Sequence, residues 1–154
     1  MRIALDTNVL VSAFISKRGH PARLLDILLT FPEIQLISST PILGELRDVL
    51  SRNEVKERFH YSARDIESFA RAVQNVSVRV KIMSNFKIVV DDPKDDVVLN
   101  TAHDGKADYV VSGDHHLRGL RSFKGIKIVS PNQMMRIIMR KFGEFIIPER
   151  KLGR

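Results

Sequence analysis

The sequence contains no cysteine and no tryptophan. Without thiols there is no disulfide scaffold, no cysteine-ligated zinc site, no iron–sulfur cluster and no thiol nucleophile. No apolar run approaches the ~18 residues that span a bilayer. There is no internal repeat and no low-complexity linker. The N-terminus brings one Arg and then Asp6, which is not a signal-peptide pattern, so a soluble, cytoplasmic protein is expected. What is present is ordinary globular composition: 154 residues, 44% hydrophobic and 28% charged. That is enough chain for one domain with a real core, and too much apolar content for a disordered one. The expected division is a domain over residues 1–142 and a basic tail over 143–154. The formal net charge of +7 points to a polyanionic partner such as RNA or DNA. Residues 136–154 carry six Arg and Lys against two Glu, whereas residues 91–96 hold four Asp and a single Lys. The positive charge therefore describes a tail, and the local acidic cluster has the opposite sign.

Short β-branched runs alternate with longer helical stretches. Strands are expected at Arg2–Leu5, Gln35–Ser38, Val76–Val80, Lys87–Val90, Ala107–Ser112 and Gly125–Val129. Helices are expected between them, including one that opens with Thr40 as N-cap and Pro41 at its first position, one that opens at Asp92-Pro93, and a last one from Pro131 to Phe142. Such alternation predicts a parallel sheet covered on both faces, an α/β/α sandwich. Ligands of these sheets gather at the carboxyl ends of the strands.

Acidic residues fall at those ends. Asp6 follows the first strand, where it either caps the next helix or faces the ligand crevice. Glu45 lies at the rim of the apolar face formed by Ile42, Leu46, Val49 and Leu50, so it is the carboxylate of its helix that can reach inward, while Asp48 faces water. In Asp91-Asp92-Pro93-Lys94-Asp95-Asp96, capping accounts for Asp92 and Asp95, which leaves Asp96 for chemistry and Asp92 as an outer-shell candidate. Asp114 follows Ser112-Gly113, either capping the next turn or joining the crevice, and Ser112 can hydrogen-bond a neighbouring carboxylate. Converging carboxylates repel one another unless protons or cations neutralise them. Oxygen-only ligands suit Mg²⁺ or Mn²⁺, and such an ion can polarise a phosphate and activate water. The residues thus predict a Mg²⁺ or Mn²⁺ hydrolase acting on a phosphoester.

Four motifs in order carry a resemblance to a known family: Asp6-Thr7-Asn8-Val9-Leu10 after the first strand, the helical Glu45, Asp96 ahead of Val97-Val98-Leu99, and Ser112-Gly113-Asp114 after a later strand. Over roughly residues 1–135 the chain resembles the PIN-domain ribonucleases, and the run from Asp91 to Asp114 is similar to the VapC-like toxins of toxin–antitoxin pairs. The resemblance implies a three-layer α/β/α sandwich with a central parallel sheet and Mg²⁺- or Mn²⁺-dependent endoribonuclease activity. It implies that Asp6, Asp96 and Asp114 hold metal, with Glu45 as ligand or water-orienting base and with Asn8 and Ser112 orienting the carboxylates. It also implies a homodimer inhibited by a small antitoxin. The alternative within the same scaffold is a catalytically silent RNA- or protein-binding module. A receiver-like phosphoacceptor would want paired acids after its first strand and a Lys near the end of its last, and a haloacid-type phosphatase needs a D-x-D pair where this chain has Asn8. His115 and His116 read as solvated, Phe31, Phe59 and Phe69 as core. Lys17-Arg18 and Arg118, Arg121 and Lys124 are candidates for steering RNA.

Overall fold

The computed structural model describes residues 1–89 and 92–146. The elements follow in the order β1 (Arg2–Leu5), α1 (Thr7–Ile15), α2 (His20–Thr30), β2 (Gln35–Ser38), α3 (Thr40–Leu50), α4 (Asn53–Phe59), α5 (Ala63–Val76), β3 (Val78–Arg79), α6 (Pro93–Asp104), β4 (Tyr109–Val111), α7 (His115–Gly119), β5 (Ser122–Phe123), β6 (Ile126–Val129) and α8 (Pro131–Ile146). The sheet runs β3-β2-β1-β4-β6-β5 and helices flank it. All pairings are parallel except β5 with β6. The α/β/α sandwich with a mostly parallel sheet is therefore the observed architecture.

β1 and β4 consist of hydrophobic residues after their first position, as strands buried on both faces require. Ile3, Ala4, Leu5, Val110 and Val111 are all sealed from solvent. Each fully buried Leu or Ile contributes about 1.5–3 kcal/mol relative to exposure, so the centre of the sheet is the rigid floor on which the site stands. Chain order reverses there: β2 and β3 lie on one side of β1, β4 and β6 on the other. The β1–β4 seam is thus the switch point, where helices leave in opposite directions and open a crevice. Pairing of Leu5 with Val111 brings the residues that follow these strands, Asp6 and Ser112, side by side.

Several expectations change. The strand expected at Lys87–Val90 is absent over 82–89, which runs without regular structure; Val90 lies outside the described residues. A different device holds this segment. Asp104 accepts hydrogen bonds from the Met83 and Ser84 amides, Asn100 pairs with both the N–H and the carbonyl of Phe86, and Asp96 accepts from the Ile88 and Val89 amides. These three residues recur every fourth position of α6, so they form one stripe along its surface. The expected strand at 76–80 shrinks to two residues. Ser39, not Thr40, is the N-cap of α3, and its hydroxyl bonds Thr101 rather than the helix end. The two-residue edge strand β5 was too short to register as a periodic pattern. α8 continues to Ile146, so residues 143–146, assigned by sequence to the tail, belong to the helix; the tail's Arg150, Lys151 and Arg154 lie outside the described residues. Phe31 and Phe69 pack against the core, but Phe59 is 40% exposed. No helix among the described residues is long and apolar enough to cross a membrane.

Candidate active site

Asp6 leaves β1 at the switch point in extended backbone, and its Oδ1 accepts from the Thr7 amide at 2.8 Å. It is therefore the cap of α1. Its second oxygen is committed elsewhere: Ser112 Oγ donates to Asp6 Oδ2 at 2.7 Å. The same Ser112 hydroxyl oxygen accepts from the Asp114 amide at 3.0 Å, so one buried serine fixes both acids. Asp114 caps α7 by accepting from the His116 amide. Asn8 acts on backbone rather than on a carboxylate, its Oδ1 taking the Gly113 amide at 3.3 Å. Glu45 reaches in from α3, held by Thr7 Oγ1 at 3.0 Å on one oxygen and by Lys94 Nζ at 3.7 Å on the other. Asp92 caps α6 through the Lys94 amide and lines the same crevice, a hollow of about 320 Å³ that also includes Asp6, Glu45, Asp95 and Asp114.

The structure brings Asp95 into this crevice, not Asp96. Asp95 is 5% exposed, and its Oδ2 is buried without any hydrogen-bond partner. Asp96 is turned away onto the 82–89 segment, its Oδ1 holding the Ile88 and Val89 amides at 2.9 Å each. The capping-box role expected of Asp95 is likewise unfilled, because the cap of α6 is made by Asp92 alone. A helical signal for Asp95 was available. Asp95, Val98, Leu99 and Ala102 are spaced i, i+3, i+4 and i+7, and all four are buried on one face. Asp96 shares its stripe with polar Asn100 and Asp104. Thr7 and Lys94 were also missed, since neither type stands out until the fold sets it beside Glu45. Asp91, the remaining acid of the run, lies outside the described residues.

Electrostatics mark the same residues. Burial pushes Asp6 above the ordinary carboxylate range against the pull of its bonds from Ser112 and Thr7, and the charges of Glu45 and Asp114 push it the same way. Asp95 is pushed up to about 7, first by burial, then by the nearby Asp114 carboxylate, and further by the charges of Asp6 and Asp92. Larger hollows exist, one of about 630 Å³ beside Phe14 and Tyr61 and one of about 660 Å³ beneath the 82–89 segment. Neither gathers comparable acids, so chemistry and not size distinguishes the switch-point crevice.

A family-level match to the PIN domain covers residues 2–116. The chain belongs to the PIN-domain family. PIN domains are generally nucleases, and those nucleases typically use divalent metal ions. An uncharacterized protein of Methanocaldococcus jannaschii, MJ1680, is 29% identical over 121 residues, spanning 79% of this chain and 76% of that relative. Among solved structures, the crystal structure of VapBC2 from Rickettsia felis bound to a DNA fragment from their promoter is similar in fold, with a TM-score of 0.57 at 14% identity, covering 84% of this chain and 98% of that one. The PIN crevice fits a hard divalent ion in donor type and charge: its donors are carboxylate oxygens, they repel one another, and one buried oxygen lacks a partner. Among the described residues no three of these side chains already have the spacing of a metal-binding group, so a bound ion would have to draw them together.

Proposed function

We propose that the protein is a Mg²⁺- or Mn²⁺-dependent endoribonuclease that hydrolyses phosphodiester bonds at the switch-point crevice. The observation that carries this reading is Asp95: a buried carboxylate with an unpartnered oxygen, facing Asp114 and Asp6. Asp6, Asp95 and Asp114 would hold the ion, in place of the set with Asp96. A bound divalent ion supplies charge neutralisation and a water of lowered pKa. The chain's own contribution is positional. Ser112 fixes Asp6 and the Asp114 backbone together. Thr7 aims Glu45, leaving its carboxylate to orient an attacking water or complete the ligand set. Asp92, at the helix mouth, adds negative potential at the outer edge.

The fold neighbour named VapBC2 supports placing this chain among toxins. On that reading it acts in the cytoplasm, forms a homodimer and is held inactive by a small antitoxin. A second reading, a catalytically silent module, is favoured by the Lys94–Glu45 ion pair, which supplies a built-in cation at the crevice. The test separates them. Purified protein free of any antitoxin is incubated with single-stranded RNA and Mg²⁺ or Mn²⁺, and thermal stability is measured with and without the ion. Asp6→Asn and Asp95→Asn should abolish both cleavage and ion-dependent stabilisation. Asp96→Asn should retain the stabilisation. Equal responses to Mn²⁺ from wild type and Asp95→Asn would overturn the metal-site reading.

A further inference from the structure

Four non-glycine residues in the described structure have left-handed backbone: His60, Lys106, Arg121 and Lys124, with φ of 54°, 53°, 59° and 48°. Side chains with a Cβ avoid this region, and Gly or Asn usually fills it. All four here are basic types, and three lie along one edge of the molecule. Arg121 follows α7 and starts the descent of β5. Lys124 and Gly125 form the two-residue turn into β6, both with positive φ, where Asn-Gly or Asp-Gly is the favoured pair. Lys106 follows the end of α6. Lys106, Lys124 and Lys127 then line one hollow of about 420 Å³ at the amino ends of β4 and β6. Strain retained at cationic side chains, where Gly or Asn would relax it, marks those side chains as useful.

None of these cations is neutralised by an ion pair: no carboxylate lies within ion-pair distance of Lys106, Arg121, Lys124 or Lys127 among the described residues. Asp108, the acid in the hollow, is taken by the Arg2 amide at 2.8 Å. The negative end of α6 is met by Arg2, whose Nη1 donates to the Gly105 carbonyl at 2.9 Å. Lys124 alone is engaged, its ammonium 4.7 Å from the Phe86 ring centre, which fixes it without neutralising it. At the other end of the edge, Arg118 carries a buried Nε with no partner. The chain from Asp114, which lines the acidic crevice, through α7 and Arg121 to Lys124 descends to the lysine-lined hollow.

We propose that this edge, Arg121 to Lys127 together with Lys106, is a phosphate track that holds the backbone of a single nucleic-acid strand. Its cations follow the edge strand into a hollow lined, among the described residues, by no Asn or Gln amide, and the rings beside them, Phe86 and Tyr109, offer sequence-tolerant faces, so the track recognises phosphodiesters and not sequence. The track goes beyond the cleavage reading and does not require it.

Binding of a fluorescent 20-nucleotide oligouridylate and of the matching oligothymidylate is measured by anisotropy in chelator, across a salt series. The variant is Lys106→Asn/Arg121→Asn/Lys124→Asn. Its control, with the same charge removed from the far side, is Arg52→Gln/Lys56→Gln/Arg58→Gln. Lys127→Gln, on a regular strand, is the milder variant. The track predicts that the asparagine variant loses roughly tenfold or more in affinity, that its salt slope falls by about 2, and that Lys127→Gln lowers the slope by about 0.7. Both strands should lose equally, and the melting temperature should hold or rise because Asn relaxes the backbone. Equal loss in the control, no change in slope, or loss confined to the ribose strand would overturn it. Because chelator removes cleavage from the assay, a protein that never cuts RNA can still pass or fail.

Discussion

Asp95 and Asp104 sit at opposite ends of α6 and titrate in opposite directions. Asp95 is raised to about 7 by burial and by Asp114. At Asp104, burial is outweighed by hydrogen bonds from the Ser84 hydroxyl and amide, from His103 and from the Met83 amide, which hold its carboxyl well below the ordinary range. A raised carboxylate favours the fold below its unfolded value near 4, and that contribution is lost as pH climbs to about 7. A lowered one contributes above its unfolded value and is lost as acid protonates it. Without divalent ions, the wild-type melting temperature should therefore fall between pH 4 and 7 relative to Asp95→Asn, and the gap should close when Mn²⁺ is added. At pH 7 and without metal, Asp95→Asn should be the more stable protein by about 1 kcal/mol, or ~2–4 °C, as expected where function is maintained against stability. A metal-free Asp95→Asn that melts below wild type at pH 7 would contradict this. Asp6, Glu45 and Asp114 stood where strand ends and an amphipathic helix put them. Asp95 and Asp96 could not be separated by counting capping positions, because the deciding fact is which of them follows the apolar stripe into the core.

Glycines report how tightly individual elements are held. In α3, Gly44 has no atom within 4 Å of where a side chain would begin. In contrast, a Cβ on Gly105 would overlap Ile37 and Val80 side chains, where the end of α6 crosses β2. Gly44→Ala should stabilise by about 0.5–1 kcal/mol through helix entropy. Gly105→Ala should destabilise by ~1–3 kcal/mol through overpacking. Chemical denaturation of the two variants checks both signs. Long elements with strong start signals were readable from sequence: α6 opens on Asp-Pro, and α5 opens on a true capping box in which Ser62 and Asp65 exchange bonds. Elements that owe their form to neighbours were not. The 82–89 segment has the β-branched content of a strand, yet its backbone partners are Asp96, Asn100 and Asp104, all contributed by a helix later in the chain.

Over the whole molecule, charge is sorted by direction along the sheet. Carboxylates gather at the carboxyl ends of the strands, and lysines at the amino ends of β4 and β6. The net charge of +7 therefore conceals two surfaces of opposite sign. Divalent ions and monovalent salt should act on different ends of the protein: a few millimolar Mn²⁺ should raise the melting temperature through the crevice, while raising NaCl should weaken strand binding without reproducing that rise. Calorimetry and anisotropy on one preparation distinguish the two. The fastening of residues 83–89 has a further consequence. Five of their amides are bonded to side chains and not to another strand, so ordinary loop behaviour should fail at those positions. In hydrogen–deuterium exchange, the amides of Met83, Ser84, Phe86, Ile88 and Val89 should be protected together, and Asn100→Ala should release the Phe86 amide first. A stretch without regular structure would then exchange at the pace of the helix beneath it.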